Sequence, residues 1–159
     1  MSKRSFFAAV ILAAAAAGAQ AQPAAAAAAP SVEHGRYLVQ ISGCNDCHTA
    51  GYGMKAGQVP ESEWLKGDAL GWRGAWGTTY ASNLRLSFAR MSEAEWMKLA
   101  RDAELRPPMP WFSLRVMTDR DLVSIWRFVR SLGPAGDPAP AYVPPGQAPL
   151  GPVVSFPMP

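Results

Sequence analysis

Apolar residues recur at helical spacing in three stretches of the chain. The last is the most regular: Leu122, Ile125, Trp126, Val129 and Leu132 fall at i, i+3, i+4, i+7 and i+10 and make one continuous stripe. Thr118-Asp119-Arg120-Asp121 opens that stretch with acidic residues at the positive helix end, and Gly133-Pro134 stops it. A second helix is predicted from Ser92, because Ser92-Glu93-Ala94-Glu95 has the spacing of a capping box. Trp96, Leu99, Ala100 and Ala103 would form its inner face, and Pro107-Pro108 would end it. A first helix is predicted over residues 32–43, with Ser31 as its cap and Tyr37, Leu38 and Ile41 at helical spacing.

Between these stretches the pattern weakens. A short helix is expected near residues 62–66. Residues 50–60 and 67–90 read as glycine-rich loop. No run of alternating apolar and polar residues stands out, so the expected fold class is all-α. Loops this long are unusual in a small domain unless something other than secondary structure organises them.

Composition sets the boundaries. The chain has 159 residues. Met1-Ser2-Lys3-Arg4 is positive, residues 6–18 are uncharged and alanine-rich, and Ala19-Gln20-Ala21 is a small-x-small cleavage pattern. In that order they read as a secretory signal peptide, residues 1–21. The apolar run of 13 residues is well short of the roughly 20 that span a bilayer, so no membrane span is expected after cleavage near Ala21. Removing Lys3 and Arg4 takes the formal net charge from +3 to +1. No Lys/Arg run of the kind that tracks phosphates remains, which argues against nucleic acid as a partner. Residues 22–30 are an Ala/Pro spacer. Residues 134–159 hold nine prolines and almost no charge, a tail that cannot form helix or central strand. The compact domain is then 31–133, small enough to gain much from a buried prosthetic group.

The chain has two cysteines, in Cys44-Asn45-Asp46-Cys47-His48. Two thiols three residues apart can both add across the vinyl groups of one haem, and a histidine directly after the second can place its imidazole beneath the iron. The pattern points to one covalent haem c, with Cys44 and Cys47 as thioethers and His48 as an iron ligand. A disulfide, a thioredoxin-like redox pair and half of a zinc site are the alternatives. The redox pair lacks its βαβ context, and zinc lacks ligands, since His34 is the one other histidine. None of them explains a histidine at position 48.

A low-spin electron carrier needs a second axial ligand, usually Met or His. His34, among Glu33 and Arg36 on the first helix, reads as a solvated surface residue. Met54 is too close in sequence to His48 to reach the opposite face. Met91 and Met97 read as core around the second helix, and Met158 lies in the tail. Met109, in Arg106-Pro107-Pro108-Met109-Pro110-Trp111, is held in a stiff segment by prolines on both sides and is the favoured ligand. Met117 is its rival, read mainly as a hydrophobic staple where the last helix begins.

These residues resemble class I c-type cytochromes over residues 31–133. The resemblance rests on Gly35-Arg36-Tyr37-Leu38, Cys44-x-x-Cys47-His48-Thr49, the segment Trp76-Gly77-Thr78-Thr79-Tyr80-Ala81-Ser82-Asn83-Leu84, the Pro-Met-Pro-Trp run and the final helix. It is similar above all to the haem modules of bacterial dehydrogenase-associated cytochromes, although those often carry several attachment motifs and a membrane anchor. The resemblance implies a class I cytochrome c fold, helices and loops wrapped around one haem. It implies that the first and last helices cross, with Gly35 allowing close approach and Tyr37 and Leu38 meeting Trp126, Phe128 or Val129. His48 and Met109 would be the axial ligands. The Pro60 carbonyl would accept the imidazole proton of His48. Trp76, Tyr80, Asn83 and Arg73 are candidate haem contacts, with core packing as the competing role for the aromatics.

The expected function is single-electron transfer in the periplasm between redox partner proteins, a dehydrogenase donor and an oxidase or other cytochrome as acceptor. The chain would act as a carrier rather than an enzyme, either as a monomer or as a subunit of a hetero-complex. One alternative is a dedicated electron-accepting subunit of a periplasmic dehydrogenase, with the proline-rich tail docking along the partner. Another is a haem-based gas or redox sensor with an open sixth position.

Overall fold

The computed structural model describes residues 28–157. The expected signal peptide, most of the spacer and Met158 lie outside the described residues. Six helices and three strands follow in the order α1 (Val32–Ile41), α2 (Cys44–His48), β1 (Gly71–Gly74), β2 (Gly77–Tyr80), α3 (Leu84–Ala89), α4 (Glu93–Asp102), α5 (Trp111–Val116), α6 (Asp119–Leu132) and β3 (Val153–Ser155). No described helix is long and apolar enough to cross a membrane.

The three predicted helices form where the caps place them. The Ser31 side chain accepts from the His34 backbone and opens α1. Ser92 and Glu95 make the reciprocal capping box of α4, and Thr118 and Asp121 make a second one for α6. Helix α4 ends at Asp102, well before Pro107, and the segment between them is irregular. The predicted stripe of α6 is inward: Leu122, Ile125 and Val129 are buried, joined by Phe128, while Trp126 and Leu132 are partly buried against the same core. Each fully buried side chain of this size contributes about 1.5–3 kcal/mol.

Helices α1 and α6 pack against each other at very short range. A Cβ on Gly35 would lie 2.0 Å from the Ser124 backbone oxygen and 2.7 Å from Phe128 Cβ. Only the absence of a side chain lets the two backbones come this near. Polar contacts fix the register: Ser31 N–H donates to Ser124 Oγ at 3.2 Å, and His34 Nε2 lies 2.6 Å from Asp121 Oδ1. His34 is therefore not the solvated residue its neighbours in sequence suggest. Leu38 joins the core, whereas Tyr37 is 55% exposed and stacks on His34.

The all-α expectation is corrected by a three-stranded sheet of order β2-β1-β3. Strands β1 and β2 form a tight antiparallel hairpin from Gly71↔Tyr80 to Gly74↔Gly77. Strand β3 comes from the proline-rich tail and pairs parallel to β1, Gly71 with Val153 and Arg73 with Ser155. It takes an outer position with Pro152 and Pro157 just outside it, the placement open to a segment this rich in proline. Thr78 and Val143 exchange two further backbone bonds, and Phe156 packs on Trp72 and Trp76. Residues 67–90 are thus organised by a hairpin, by α3 and by the tail.

Arg85 is buried and locks α3 to the end of α6. Its guanidinium donates to the carbonyls of Ser62, Leu132 and Gly133. Two of those belong to the last turn of α6 and its cap, whose carbonyls have no partner within the helix.

Candidate functional site

Helix α2 carries the Cys-x-x-Cys-His run in little more than one turn. Gly43 precedes it in the left-handed region at φ 71°, which turns the chain sharply out of α1. Both cysteines are free thiols, so the disulfide alternative is not what the structure contains. Burial pushes the Cys44 thiol up to about 11, and burial also raises Cys47, with Asp46 and Asp68 adding to the shift. Cys44 packs against the hydrophobic core at its partly buried edge.

His48 is buried, and its ring is oriented by one backbone group. Nδ1 lies 2.8 Å from the Ser82 carbonyl oxygen. A carbonyl can only accept, so Nδ1 carries the proton. In the neutral ring the lone pair is then on Nε2. Burial holds the imidazole below its ordinary pKa, against an opposing push from the Ser82 carbonyl, and so favours that neutral form.

The acceptor is Ser82 and not Pro60. The Pro60 oxygen instead takes the Glu63 N–H at 2.8 Å and starts the 3-10 turn Glu61–Glu63, which stands where a helix near 62–66 was expected. The reason Ser82 reaches the ring lies in Gly67. Gly67 N–H donates to the His48 carbonyl at 2.8 Å, and Asp68 N–H donates to Ala81. A Cβ on Gly67 would lie 2.7 Å from the Ala81 oxygen and 2.9 Å from Asn83 N. The segment 81–83 therefore lies directly on Gly67, and Gly67 lies on His48.

A buried polar chain steadies the same turn from inside. Leu65 N–H donates to Thr49 Oγ1 at 2.8 Å, and Thr49 Oγ1 donates to Asn45 Oδ1 at 2.7 Å. Leu65 is held at φ 61°, with its own carbonyl accepting from Leu84 and Arg85. A leucine in this region costs about 1–2 kcal/mol, offset here by bonds at both ends of the residue. Asn45 is fully buried and its Nδ2 has no partner among the described residues.

The remaining expected residues fall into two groups. Met109 follows Pro107-Pro108 outside any helix and packs, partly buried, against the core cluster that Cys44 also touches. Met91, Met97 and Met117 contact that cluster too, while Met54 is 94% exposed. Trp76, Tyr80, Asn83 and Arg73 are engaged by the sheet and the tail. Trp76 packs on Phe156, and its carbonyl accepts from Tyr142 Oη at 2.6 Å. The Tyr80 hydroxyl accepts the Leu150 N–H at 2.8 Å, and the Arg73 carbonyl accepts from Phe156 N–H. Asn83 caps α3 and donates to the carbonyls of Ala135 and Asp137.

Sequence reasoning missed Ser82 and Thr49 as parts of the site. Neither carries a signal of its own: Ser82 acts through its main chain, and Thr49 acts through a contact made across the fold.

The donor set fits a covalent haem: two unbridged thiols, a neutral imidazole with its lone pair on Nε2, and several thioethers around one core. It does not fit zinc. Among the described residues no group of three or more His, Cys, Asp or Glu side chains could hold a metal ion, and His34 is committed to Asp121. No protein-family model, no curated protein and no solved structure matches this chain.

Proposed function

We propose that the chain is an exported monohaem c-type cytochrome that carries single electrons between redox partner proteins in the periplasm. Cys44 and Cys47 would hold the haem by thioether bonds, and His48 and Met109 would be the axial ligands of its iron. The observation that carries this reading is the His48 ring. Its Nδ1 proton is committed to the Ser82 carbonyl at 2.8 Å, which leaves the lone pair on Nε2, in a residue directly after two free thiols. The haem, when bound, would supply the Fe(III)/Fe(II) couple. The protein's part is to fix the ring tautomer, keep the imidazole neutral by burial and place a soft thioether in a segment with few backbone donors. No side chain has to act as acid, base or nucleophile.

The alternative of a docked dehydrogenase subunit leaned on an extended tail. Tyr142, Val143, Leu150 and residues 153–156 are bonded within this chain, which favours the carrier reading.

The test is to make the full chain in a bacterium equipped for periplasmic haem attachment, then measure its mass and its reduced optical spectrum. One haem per chain that survives denaturation, and is lost in the Cys44→Ser/Cys47→Ser double variant, is the expected result. Exported, folded protein without haem would overturn the proposal.

A further inference from the structure

The His48 acceptor is not on a free loop. Ser82 is followed by Asn83, and Asn83 is a joint between three parts of the fold. Its Oδ1 accepts the Leu86 N–H at 3.1 Å and caps α3. Its Nδ2 donates to the Ala135 carbonyl at 2.8 Å and to the Asp137 carbonyl at 3.1 Å. Both amide atoms are thus used, and the residue is buried. The joint is close-fitting from the other side as well. Gly136 is in the left-handed region at φ 73°, and a Cβ there would lie 3.3 Å from Asn83 Nδ2 and 3.2 Å from Lys66 Cδ. From the tail the connection runs through the Asn83 side chain and along the backbone to the adjacent Ser82 carbonyl, and so to the ring of His48.

We propose that Asn83 is a positioning residue through which residues 135–137 fix the Ser82 carbonyl and so set the strength of the His48 Nδ1 hydrogen bond. The tail, on this account, does more than complete the sheet. It tunes the basicity of the imidazole, because a stronger bond at Nδ1 makes Nε2 a better donor to a metal. The inference rests on the proposed haem ligation for its effect on potential, but the hydrogen bond itself exists without it.

Two substitutions separate the tether from the cap. Asn83→Ser and Asn83→Asp both keep an oxygen that can cap α3, and both remove the two donations to the tail. Gly136→Ala disturbs the same joint from the tail side. Tyr142→Phe is the control, since it breaks the bond to Trp76 and loosens the tail without touching Asn83.

The measurement is solvent exchange of the His48 Nδ1 proton by NMR, on the full chain in whichever form it is isolated and, for a haem protein, in the reduced state. Exchange about tenfold faster in both Asn83 variants and in Gly136→Ala, with Tyr142→Phe like the parent, is expected. The reduction potential of Asn83→Ser should rise, because a less basic imidazole favours the ferrous state. Parent-like exchange in both Asn83 variants would overturn the inference. Equal acceleration in Tyr142→Phe would overturn it too, since that signals general loosening. A parent chain without haem would defeat the electron-carrier reading alone, and the exchange comparison would still decide the tether.

Discussion

Gly35 and Ser124 share a space that holds no side chain: the Ser124 backbone oxygen is 2.0 Å from where a Cβ on residue 35 would be. Substituting Gly35→Ala must push α1 and α6 apart, because the obstacle is backbone and cannot rotate away. We expect a loss of about 1–3 kcal/mol or more in urea unfolding, with a lowered Tm. Gly53→Ala, at a site with nothing within 4 Å of the new atom, should leave the midpoint near that of the parent.

Thr49→Val should be far more damaging than its near-identical volume suggests. The hydroxyl is shared by Leu65 N–H and Asn45 Oδ1, and both are buried. Each group left without a partner costs roughly 1–3 kcal/mol. Thr49→Ser keeps the hydroxyl and should recover most of the stability. If valine proves as stable as serine in chemical denaturation, the polar chain is not what steadies the turn.

The two thiols should differ in reactivity before any cofactor is attached. Burial pushes Cys44 up to about 11 and raises Cys47 as well, but not so far. Only the thiolate reacts, so limited iodoacetamide at neutral pH should label Cys47 about tenfold or more ahead of Cys44. Peptide mass spectrometry on the haem-free chain reads the order directly, and first labelling at Cys44 would contradict it.

Acid should loosen the α1–α6 contact through Asp121. Burial alone would raise this carboxyl, but donation from His34 and from the Thr118 side chain and backbone outweighs it and leaves Asp121 below its ordinary value of 3.8. A carboxyl depressed in the folded state stabilises fully above its unfolded pKa. That contribution is lost as pH falls through the folded value. Stability should therefore decline from about pH 4 downward. Asp121→Asn should be less stable at neutral pH and show a flatter acid limb in urea midpoints taken across that range.

On the proposed function, Met109→Ala should abolish the weak near-infrared sulfur-to-iron band of the oxidised protein and lower its potential. Met117→Ala should keep the band. The reverse pattern would move the ligand to the residue before the Thr118 cap.

The helices that could be read from the sequence were those with a cap and a stripe close together in the chain. Ser92 with Glu95, and Thr118 with Leu122 to Leu132, announce their structure within one or a few turns. The sheet could not be read the same way. Strand β1 has four residues, two of them glycine, and its parallel partner begins at Val153, with β2 and the four helices α3 to α6 between them in sequence. No periodicity survives in strands so short, and pairing across that distance leaves no local mark. The short helices α3 and α5 were missed for a related reason: each has six residues, too few to display a face.

At the candidate site, side-chain chemistry was readable and main-chain chemistry was not. Cys44, Cys47 and His48 declare themselves by residue type and spacing. Ser82 contributes a carbonyl that any residue could supply, and the resemblance implied Pro60 in that role; the contact of Gly67 with residues 81–83 is what brings the Ser82 carbonyl to the ring instead. Trp76, Tyr80 and Asn83, expected beside a haem, also hold the tail, a use of them that depends on segments more than 50 residues further along the chain.

The parallel pairing of β1 with β3 also imposes an order of events. A chain that emerges N-terminus first exposes Gly71–Arg73 long before Val153–Ser155 appear. Until then one edge of the hairpin has open backbone groups, an invitation to strands of other chains. The hairpin leaves little to grip, with four residues per strand and glycines at 71, 74 and 77. Brevity at that edge thus acts as protection during the interval before the chain can close its own sheet.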